Sequence, residues 1–394
     1  DQGTLDSALL AIADAVEAQT DEIMAANQLD LDKSGDYNVP QTMIDRLTLT
    51  PSRISQMAEG VRQVASIESP VGSVIETITR PNGLVIEKRA VPFGVIGIIF
   101  EARPNVTIDA GVLCLKTANA TILRGGKEAF HTNQIIVSIM RNTLETLGIT
   151  PDAIQLVEVL DREMVGVLLQ QREYIDVVIP RGGAGLIRRV VNESSIPVIE
   201  TGSGVCHTFV DEYANLDMAL EIAINAKVQR PSVCNSMETL LVHQAVAAEF
   251  LPRLDVALQE YGVRIHGDNA VAQYMGNTIP LTDDSFNTEY NDMDLNVRIV
   301  DTLEEAIDHV NLYSTHHSEA IVTDEPMRAK VFMNLVDCST VYHNASTRFT
   351  DGFEFGFGAE IGISTQKLHA RGPMGLQALT SYKYFVFGEG QVRK

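Results

Sequence analysis

The 394-residue sequence has few cysteines, an excess of acidic over basic side chains and no long apolar run. No stretch approaches the roughly 18 apolar residues of a membrane-spanning helix. No basic and apolar leader opens the chain, although it begins at Asp1 without a methionine, which leaves open that a leader or a native start has been removed. We therefore expect a soluble protein with no membrane as partner.

The charge balance sets a second bound on function. The chain carries 52 Asp and Glu against 30 Lys and Arg, a formal net charge of −22. A surface of this sign repels polyanions, so nucleic acid is not an expected partner. If the ligands are small anions, the cations that hold them must be local, and each arginine or lysine beside a candidate motif is weighed individually.

The cysteines are few and lie far apart, with no CxxC pair and no Cys/His cluster at metal-ligand spacing. We expect neither a metal site nor a disulfide framework. Four cysteines in so long a chain suit a reducing compartment, where each thiol is either buried filler or a working nucleophile. We therefore expect a cytoplasmic location. The four are Cys114, Cys206, Cys234 and Cys338.

Hydrophobic periodicity predicts an α/β architecture. Residues 5–28 have helical spacing and predict one amphipathic helix, and residues 72–90 alternate around Pro-Asn-Gly, which predicts a β-hairpin. From residue 91 to about 200, ending in IPVIETGSG, apolar strands alternate with helices. A second such run extends from DMALEIAINAKVQ to RIHG, and the chain ends in an apparent strand, YKYFVFGEG. Alternation of this kind predicts two α/β domains with parallel sheets.

Cys234 is the strongest candidate nucleophile. It lies in QRPSVCNSMETLL, at the loop between an amphipathic helix and an apolar strand, where Lys227 and Arg230 would raise the thiolate fraction. Cys114 lies inside a helix, in GVLCLKT, and reads as a small buried residue. Buried filler is the alternative for Cys234 as well. No His and Asp at short range support a hydrolase.

Two glycine turns are candidate cofactor sites. The turn at 124–127 follows ATIL and carries two cations, which suits a ribose phosphate. The turn at 181–185 follows YIDVVIP and opens a helix, so its N–H groups can face a pyrophosphate. It lacks the full GxGxxG spacing, and an ordinary strand-to-helix turn is the alternative. The candidate residues are Arg124, Gly125, Gly126, Lys127, Gly182 and Gly183.

These motifs coincide with those of a known family. The chain resembles the aldehyde dehydrogenase superfamily, and within it the branch that reduces acyl phosphates, through FEARPNVTIDA, TILRGGKEA, IPRGGAGLI, IPVIETGSGVCH, QRPSVCNSMETLL, HVNLYSTHHSEAI, NASTRF and HARGPMGL. The resemblance implies an aldehyde dehydrogenase-like α/β fold with two α/β domains. It assigns residues 1–71 and 91–200 to a nicotinamide cofactor-binding domain, 201–366 to a catalytic domain, and 72–90 with 367–394 to an oligomerisation arm.

The resemblance also implies roles for individual residues. Cys234 falls on the nucleophile and Glu200 on the general base, although a strand-end acid capping its turn is an equal alternative for Glu200. Glu289 falls on the glutamate that holds the nicotinamide ribose, and Arg124 replaces the lysine that contacts the adenosine ribose. Glu101 stands at the position of the oxyanion-hole asparagine, which leaves Asn105 as a candidate substitute. Candidate anchors for the substrate anions are Arg103, Arg348 and Arg371, with surface ion pairs as the alternative.

The implied activity is the NADPH-dependent reduction of L-glutamyl 5-phosphate to L-glutamate 5-semialdehyde and phosphate, through a cysteine thioester, as the second step of proline biosynthesis. The cations of the 124–127 turn favour NADP over NAD. The arm implies a homodimer or homotetramer, and a glutamate 5-kinase is a candidate partner. Two alternatives stay open: a related enzyme for another acyl phosphate or aldehyde, and a non-catalytic scaffold.

Overall fold

The computed structural model describes residues 1–37, 41–161 and 163–393. The chain forms two compact units. Unit 1 comprises Asp1–Thr201, Gly356–Gly362 and Pro373–Lys394, and unit 2 comprises Gly202–Phe355 and Ile363–Gly372. Every helix of the described residues is too short or too polar to cross a membrane.

The helices and strands follow the predicted alternation. The helices are α1 Gln2–Ala18, α2 Thr20–Asp32, α3 Gln41–Leu47, α4 Pro51–Ser66, α5 Pro104–Lys116, α6 Phe130–Thr146, α7 Glu163–Leu168, α8 Ala184–Glu193, α9 Leu216–Val228, α10 Gln244–Gln259, α11 Leu303–Tyr313 and α12 Pro326–Leu335. The strands are β1 Val74–Thr79, β2 Val85–Pro92, β3 Val95–Phe100, β4 Ala120–Arg124, β5 Ile154–Leu156, β6 Val177–Arg181, β7 Cys206–Val210, β8 Met237–His243, β9 Arg264–Gly267, β10 Ile279–Pro280, β11 Asp294–Val300, β12 Ser318–Val322, β13 Thr340–His343, β14 Ile363–Ser364, β15 Gly372–Pro373 and β16 Thr380–Phe387.

The single helix expected over 5–28 is wrong in one respect, because two helices occupy this region. Gln19 has φ −108° and ψ 30°, which ends α1, and α2 begins at Thr20. The Thr20 hydroxyl donates to the carbonyl of Glu17 at 2.8 Å. Apolar spacing continues across the break, from Val16 to Ile23, so periodicity alone does not reveal it.

Unit 1 contains a parallel sheet in the order β5-β4-β3-β6. Since the strands run parallel, the loops that follow β3, β4 and β6 lie at the same, carboxyl edge, where ligands of such sheets bind. The strand expected at 196–200 is reduced to a single bridge between Val178 and Val198. Pro197 lacks an N–H group, so a continuous ladder cannot form there.

The predicted hairpin is present as β1 and β2, an antiparallel pair, and Gly83 in its turn has φ +87°. The C-terminal strand β16 pairs antiparallel with β2 over its whole length. Cations stack on aromatic rings across this sheet, with Lys88 Nζ 3.9 Å from the ring centre of Tyr382. The use of this sheet as an oligomerisation arm stays a prediction.

Unit 2 contains a parallel sheet in the order β10-β9-β11-β8-β7-β12-β13. Its central strands β7 and β8 are buried along their full length, as expected for a parallel sheet covered by helices. The segments that enter β7, β8, β11 and β12 all arrive at the amino edge of this sheet. The Cys234 loop is one of them.

Candidate active site

The Cys234 loop joins α9 to β8 and is held through its backbone. The N–H of Ser236 donates to the carbonyl of Val233 at 3.0 Å, and the Cys206 thiol donates to the carbonyl of Cys234 at 3.2 Å. Gly204 lies against this loop so closely that an added Cβ would lie 1.4 Å from the Cys234 carbonyl oxygen. Any side chain at position 204 would therefore displace the loop.

Exposure distinguishes the four thiols. Cys114, Cys206 and Cys338 are buried, and Cys234 is half-buried. Burial raises the pKa of the Cys114 thiol to about 12. Burial also raises the pKa values of Cys206 and Cys338, and the nearby Glu319 carboxylate adds to the effect in both. Among the four, Cys234 is thus the thiol that a reagent or substrate can reach.

This difference predicts selective alkylation. Iodoacetamide at about pH 8 should modify Cys234 first, since a thiolate is the reactive form and burial keeps the other three cysteines protonated below their raised pKa values. Mass spectrometry of tryptic peptides measures the four rates, and unfolding in guanidinium should make all four cysteines reactive. Modification of native Cys338 as fast as Cys234 would contradict the assignment.

The segment 347–350, which follows β13, is hydrogen-bonded to the cysteine loop. The Thr347 hydroxyl donates to the carbonyl of Asn235 at 2.7 Å. The Asn235 side-chain amide donates to the carbonyls of Thr350 at 2.8 Å and Arg348 at 3.2 Å. Three hydrogen bonds thus tie Asn235, the residue after Cys234, to the segment that carries Arg348.

Arg348 is the positively charged residue of the segment 347–350. Burial lowers the pKa of Arg348, the nearby Arg230 lowers it further, and the Cys234 thiol opposes both. Its Nε donates to Gln229 Oε1 at 2.9 Å. Arg348 is therefore within electrostatic reach of both Arg230 and the Cys234 thiol, an arrangement that suits an anionic substrate.

Arg371 has a different environment. It donates to Asp337 Oδ1 at 2.7 Å, and Lys367 lies 2.7 Å from the other oxygen of that carboxylate. The two cations, Lys367 first, lower the pKa of Asp337 to about 2. Of the two candidate anchors in unit 2, Arg371 takes part in a surface ion pair, whereas Arg348 lies beside the cysteine.

Glu289 reaches the cysteine loop indirectly. Its Oε1 accepts the N–H of Gly204 at 2.9 Å, and Gly204 in turn contacts the carbonyl of Cys234. Lys227 has a partner that the sequence did not reveal, because its Nζ lies 2.8 Å from Glu238 Oε2 and both side chains are fully buried. The charge of Lys227 is therefore balanced by Glu238.

In unit 1, the turn at 181–185 already holds an anionic oxygen. Glu101, which follows β3, accepts the N–H of Gly183 through Oε2 at 2.8 Å. A Cβ added to Gly182 would lie 2.6 Å from the same oxygen. The donor of this turn is thus suited to an anion, and glycine at 182 leaves the space that the anion needs.

In the turn at 124–127, only one of the two cations is placed as expected for binding a ribose phosphate. Arg124 is 6% exposed, and its guanidinium donates to the carbonyls of Gly125 and, at 3.0 Å, Leu160. Lys127 is half-buried, with Nζ 4.3 Å from the ring centre of Tyr37. Lys127 is therefore the more accessible cation of this turn, while Arg124 supports the backbone.

The remaining candidates of unit 1 lie near the same edge. Asn105 is in the first turn of α5 and donates to Asp109 at 3.2 Å, and Arg103 is the residue before that helix. Glu200 is half-buried next to Thr201, whose hydroxyl donates to the carbonyl of Pro180 at 2.7 Å. The roles of these residues stay predictions.

The sequence did not reveal the residues that hold the Cys234 loop in place. Cys206 and Glu238 belong to buried strands, where a thiol reads as filler and an isolated acid gives no signal. Asn235 directly follows Cys234 and was available as a candidate. Within the described residues, no group of three or more His, Cys, Asp and Glu is arranged to hold a metal ion.

The chain thus combines two α/β units, each with a parallel sheet, and a half-buried cysteine in the loop before β8. Residues 6–279 match the model of the "Aldehyde dehydrogenase family". The chain is 54% identical to the gamma-glutamyl phosphate reductase of Thermobifida fusca over 388 residues, covering 98% of this chain and 93% of that protein.

Solved structures agree with this similarity. The gamma-glutamyl phosphate reductase of Thermotoga maritima superposes with a TM-score of 0.97 at 44% identity, over 100% of this chain and 95% of that one. An acetylating aldehyde dehydrogenase from Geobacillus thermoglucosidasius, 16% identical over 100% of this chain and 93% of its own, shares the fold with a TM-score of 0.70. The chain therefore belongs to the aldehyde dehydrogenase family and, within it, to the gamma-glutamyl phosphate reductases. The predicted resemblance and fold class are confirmed.

Proposed function

We propose that this chain reduces L-glutamyl 5-phosphate to L-glutamate 5-semialdehyde and phosphate with NADPH, the second step of proline biosynthesis from glutamate. The observation that carries the proposal is the half-buried Cys234 with Arg348 within electrostatic reach. The names of relatives more than 50% identical to this chain support the choice of substrate.

The first chemical step forms a thioester. The Cys234 thiolate attacks the carbonyl carbon of the acyl phosphate, the C–S bond forms, and the bond to the phosphate oxygen breaks with its electron pair leaving on phosphate. Arg348 binds the anionic phosphate during attack and departure. The fixed carbonyl of Cys234, held by Cys206, keeps the sulfur in position.

The second step breaks the C–S bond and regenerates the thiolate as the aldehyde leaves. A bound nicotinamide cofactor supplies the hydride that this reduction requires. The oxyanion on the former carbonyl needs hydrogen-bond donors, for which we propose the Cys234 N–H and Asn105. Glu200 is assigned a structural or proton-relay role, because a strong base beside a thioester would promote its hydrolysis.

Unit 1 has residues that fit the cofactor. Gly183 donates its N–H to an anionic oxygen, that of Glu101, and we propose that a pyrophosphate oxygen takes the place of this carboxylate when the cofactor binds. We assign Lys127 to the 2′-phosphate of NADPH, with Arg124, Gly125 and Gly126 forming the turn around it. Glu289 of unit 2 is proposed to hold the nicotinamide ribose.

The function is tested in the oxidative direction, which avoids the unstable acyl phosphate. L-Glutamate 5-semialdehyde, NADP and phosphate should together give NADPH, with the rate depending on phosphate. Equal rates with and without phosphate across a panel of aldehydes would favour a different substrate. Failure to bind either nicotinamide cofactor would favour a scaffold.

Lys127→Met should weaken selection for NADP. Loss of one cation from a phosphate contact removes about 1.5–3 kcal/mol, so kcat/KM with NADP should fall by about 10- to 100-fold, and kcat/KM with NAD should change little. Initial rates with each cofactor measure the ratio. Lys330→Met, at an exposed position of α12, is the matched control. Comparable efficiency of the unmodified enzyme with NAD and NADP would overturn the cofactor assignment.

We further propose that the sheet of β1, β2 and β16 joins copies of this chain into a homodimer or homotetramer. Both edge strands expose apolar side chains, among them Ile75, Tyr384 and Val386. Exposed edges of this kind pair readily with another chain. We also propose a cytoplasmic location for the enzyme. Because the acyl phosphate is labile, we propose that a glutamate 5-kinase transfers it directly to this enzyme.

A further inference from the structure

The buried ion pair of Lys227 and Glu238 encloses the Cys234 loop. Lys227 lies in the last turn of α9 and Glu238 is the second residue of β8, so the pair closes the two ends of the loop at 2.8 Å. Both side chains are fully buried. A buried ion pair contributes little net stability compared with apolar side chains of the same size, so this pair calls for an explanation other than stability.

The second carboxylate oxygen of Glu238 contacts a further segment of the chain. Oε1 accepts the N–H of Asn291 at 3.3 Å, and Asn291 has φ +55°, a left-handed conformation that needs support in a residue other than glycine. Two residues earlier, Glu289 accepts the N–H of Gly204. Gly204 contacts the carbonyl of Cys234, which completes a closed ring of contacts around the nucleophile.

We propose that Glu238 is a positioning residue. With Lys227 it fixes the Cys234 loop onto the segment that carries Glu289, so that the nucleophile and the proposed ribose contact keep one relative arrangement. The proposal rests on the cysteine chemistry proposed above. Glu238 touches neither substrate nor cofactor and acts through the backbone of Asn291 and the ends of the loop.

Charge makes each partner dependent on the other. Burial raises the pKa of Glu238 to about 7, and Lys227 opposes that shift. Removing Lys227 alone leaves a buried carboxyl that takes up a proton, and removing Glu238 alone leaves a buried ammonium without its counter-charge. Replacing both side chains with methionine avoids either charge defect and removes the contact with Asn291.

The test compares two double variants. Lys227→Met/Glu238→Met removes the pair beside the cysteine, and Arg328→Met/Asp211→Asn removes a pair at the opposite edge of the same sheet, where Asp211 is also fully buried. Thermal unfolding, kcat and KM in the oxidative direction, and hydrogen–deuterium exchange of peptides covering 229–236 are measured for both. Exchange reports on the loop without any substrate, so it stays informative if the assigned reaction is wrong.

We expect the Lys227/Glu238 double variant to fold, to lose about tenfold in kcat with KM within about threefold, and to exchange faster over 229–236. The Arg328/Asp211 control should keep both kcat and exchange. Glu238→Gln retains an oxygen for the Asn291 N–H and should lose less kcat than the double variant; it also carries the test if the double variant fails to fold. Unchanged exchange and kcat in the variants that fold, or equal losses in the control, would overturn the proposal.

Discussion

Cys234→Ala should abolish the phosphate-dependent formation of NADPH, with a fall in kcat of about 10⁴-fold or more, as for other enzymes that lose a covalent nucleophile. The expected loss is large because alanine cannot form the thioester through which the whole reaction passes. Binding should survive, since the side chain is small and half-buried. Stopped-flow absorbance gives the rate, and fluorescence titration with NADPH gives the binding constant.

Cys338→Ala is the matched control for this variant. Cys338 lies in the same unit but is buried, with its thiol donating to the carbonyl of Thr340 at 2.9 Å. This change should cost some stability and leave kcat within about threefold. If Cys234→Ala kept the activity of the unmodified enzyme, the thioester mechanism would fail.

Arg348→Met should lower kcat/KM by about 100-fold, through loss of a charge-assisted contact worth about 1.5–3 kcal/mol. The cause is specific to its location, because the guanidinium is half-buried and within reach of both Arg230 and Cys234. Saturation curves for phosphate should show most of the change in KM. Guanidinium ion added to the assay should restore part of the rate.

Arg371→Met separates an anchor from a surface ion pair. Arg371 shares Asp337 with Lys367, so loss of Arg371 leaves that carboxylate one cation, and exposed pairs contribute about 0–1 kcal/mol. Its kcat/KM should stay within about fivefold of the unmodified enzyme. A larger loss from Arg371→Met than from Arg348→Met would reverse the assignment of the two arginines.

The pattern of apolar residues was sufficient to predict the fold, but not to predict where individual helices and strands are interrupted. Alternating strands and helices indicated two parallel α/β units, and Pro-Asn-Gly indicated the hairpin. The end of α1 at Gln19 depends on one pair of backbone angles, and the loss of the strand at 196–200 depends on Pro197. Such local features interrupt a periodic pattern without changing it.

The sequence marks Cys234 as a candidate nucleophile by its residue type and its loop position, and that role stays a prediction. The sequence does not show which partner a charged side chain contacts when that partner is not its neighbour in the chain. Lys227 reads as an activating cation until Glu238 is seen beside it, and Arg124 reads as a ligand contact until its carbonyl partners are known. Glu101 likewise contacts Gly183, which lies 82 positions further along the chain.

The pairing of β2 with β16 also has a consequence for the order in which the two units fold during synthesis. Gln391 donates to the carbonyl of Asn82 in the hairpin turn, 309 positions earlier in the chain. At about 5–20 residues per second, a ribosome needs roughly 15 to 60 s to make the intervening segment. During that interval the hairpin is a two-stranded ribbon, which is marginally stable alone and exposes the edge of β2. Unit 1 is therefore completed after unit 2, and until β16 emerges the edge of β2 is available to pair with another chain.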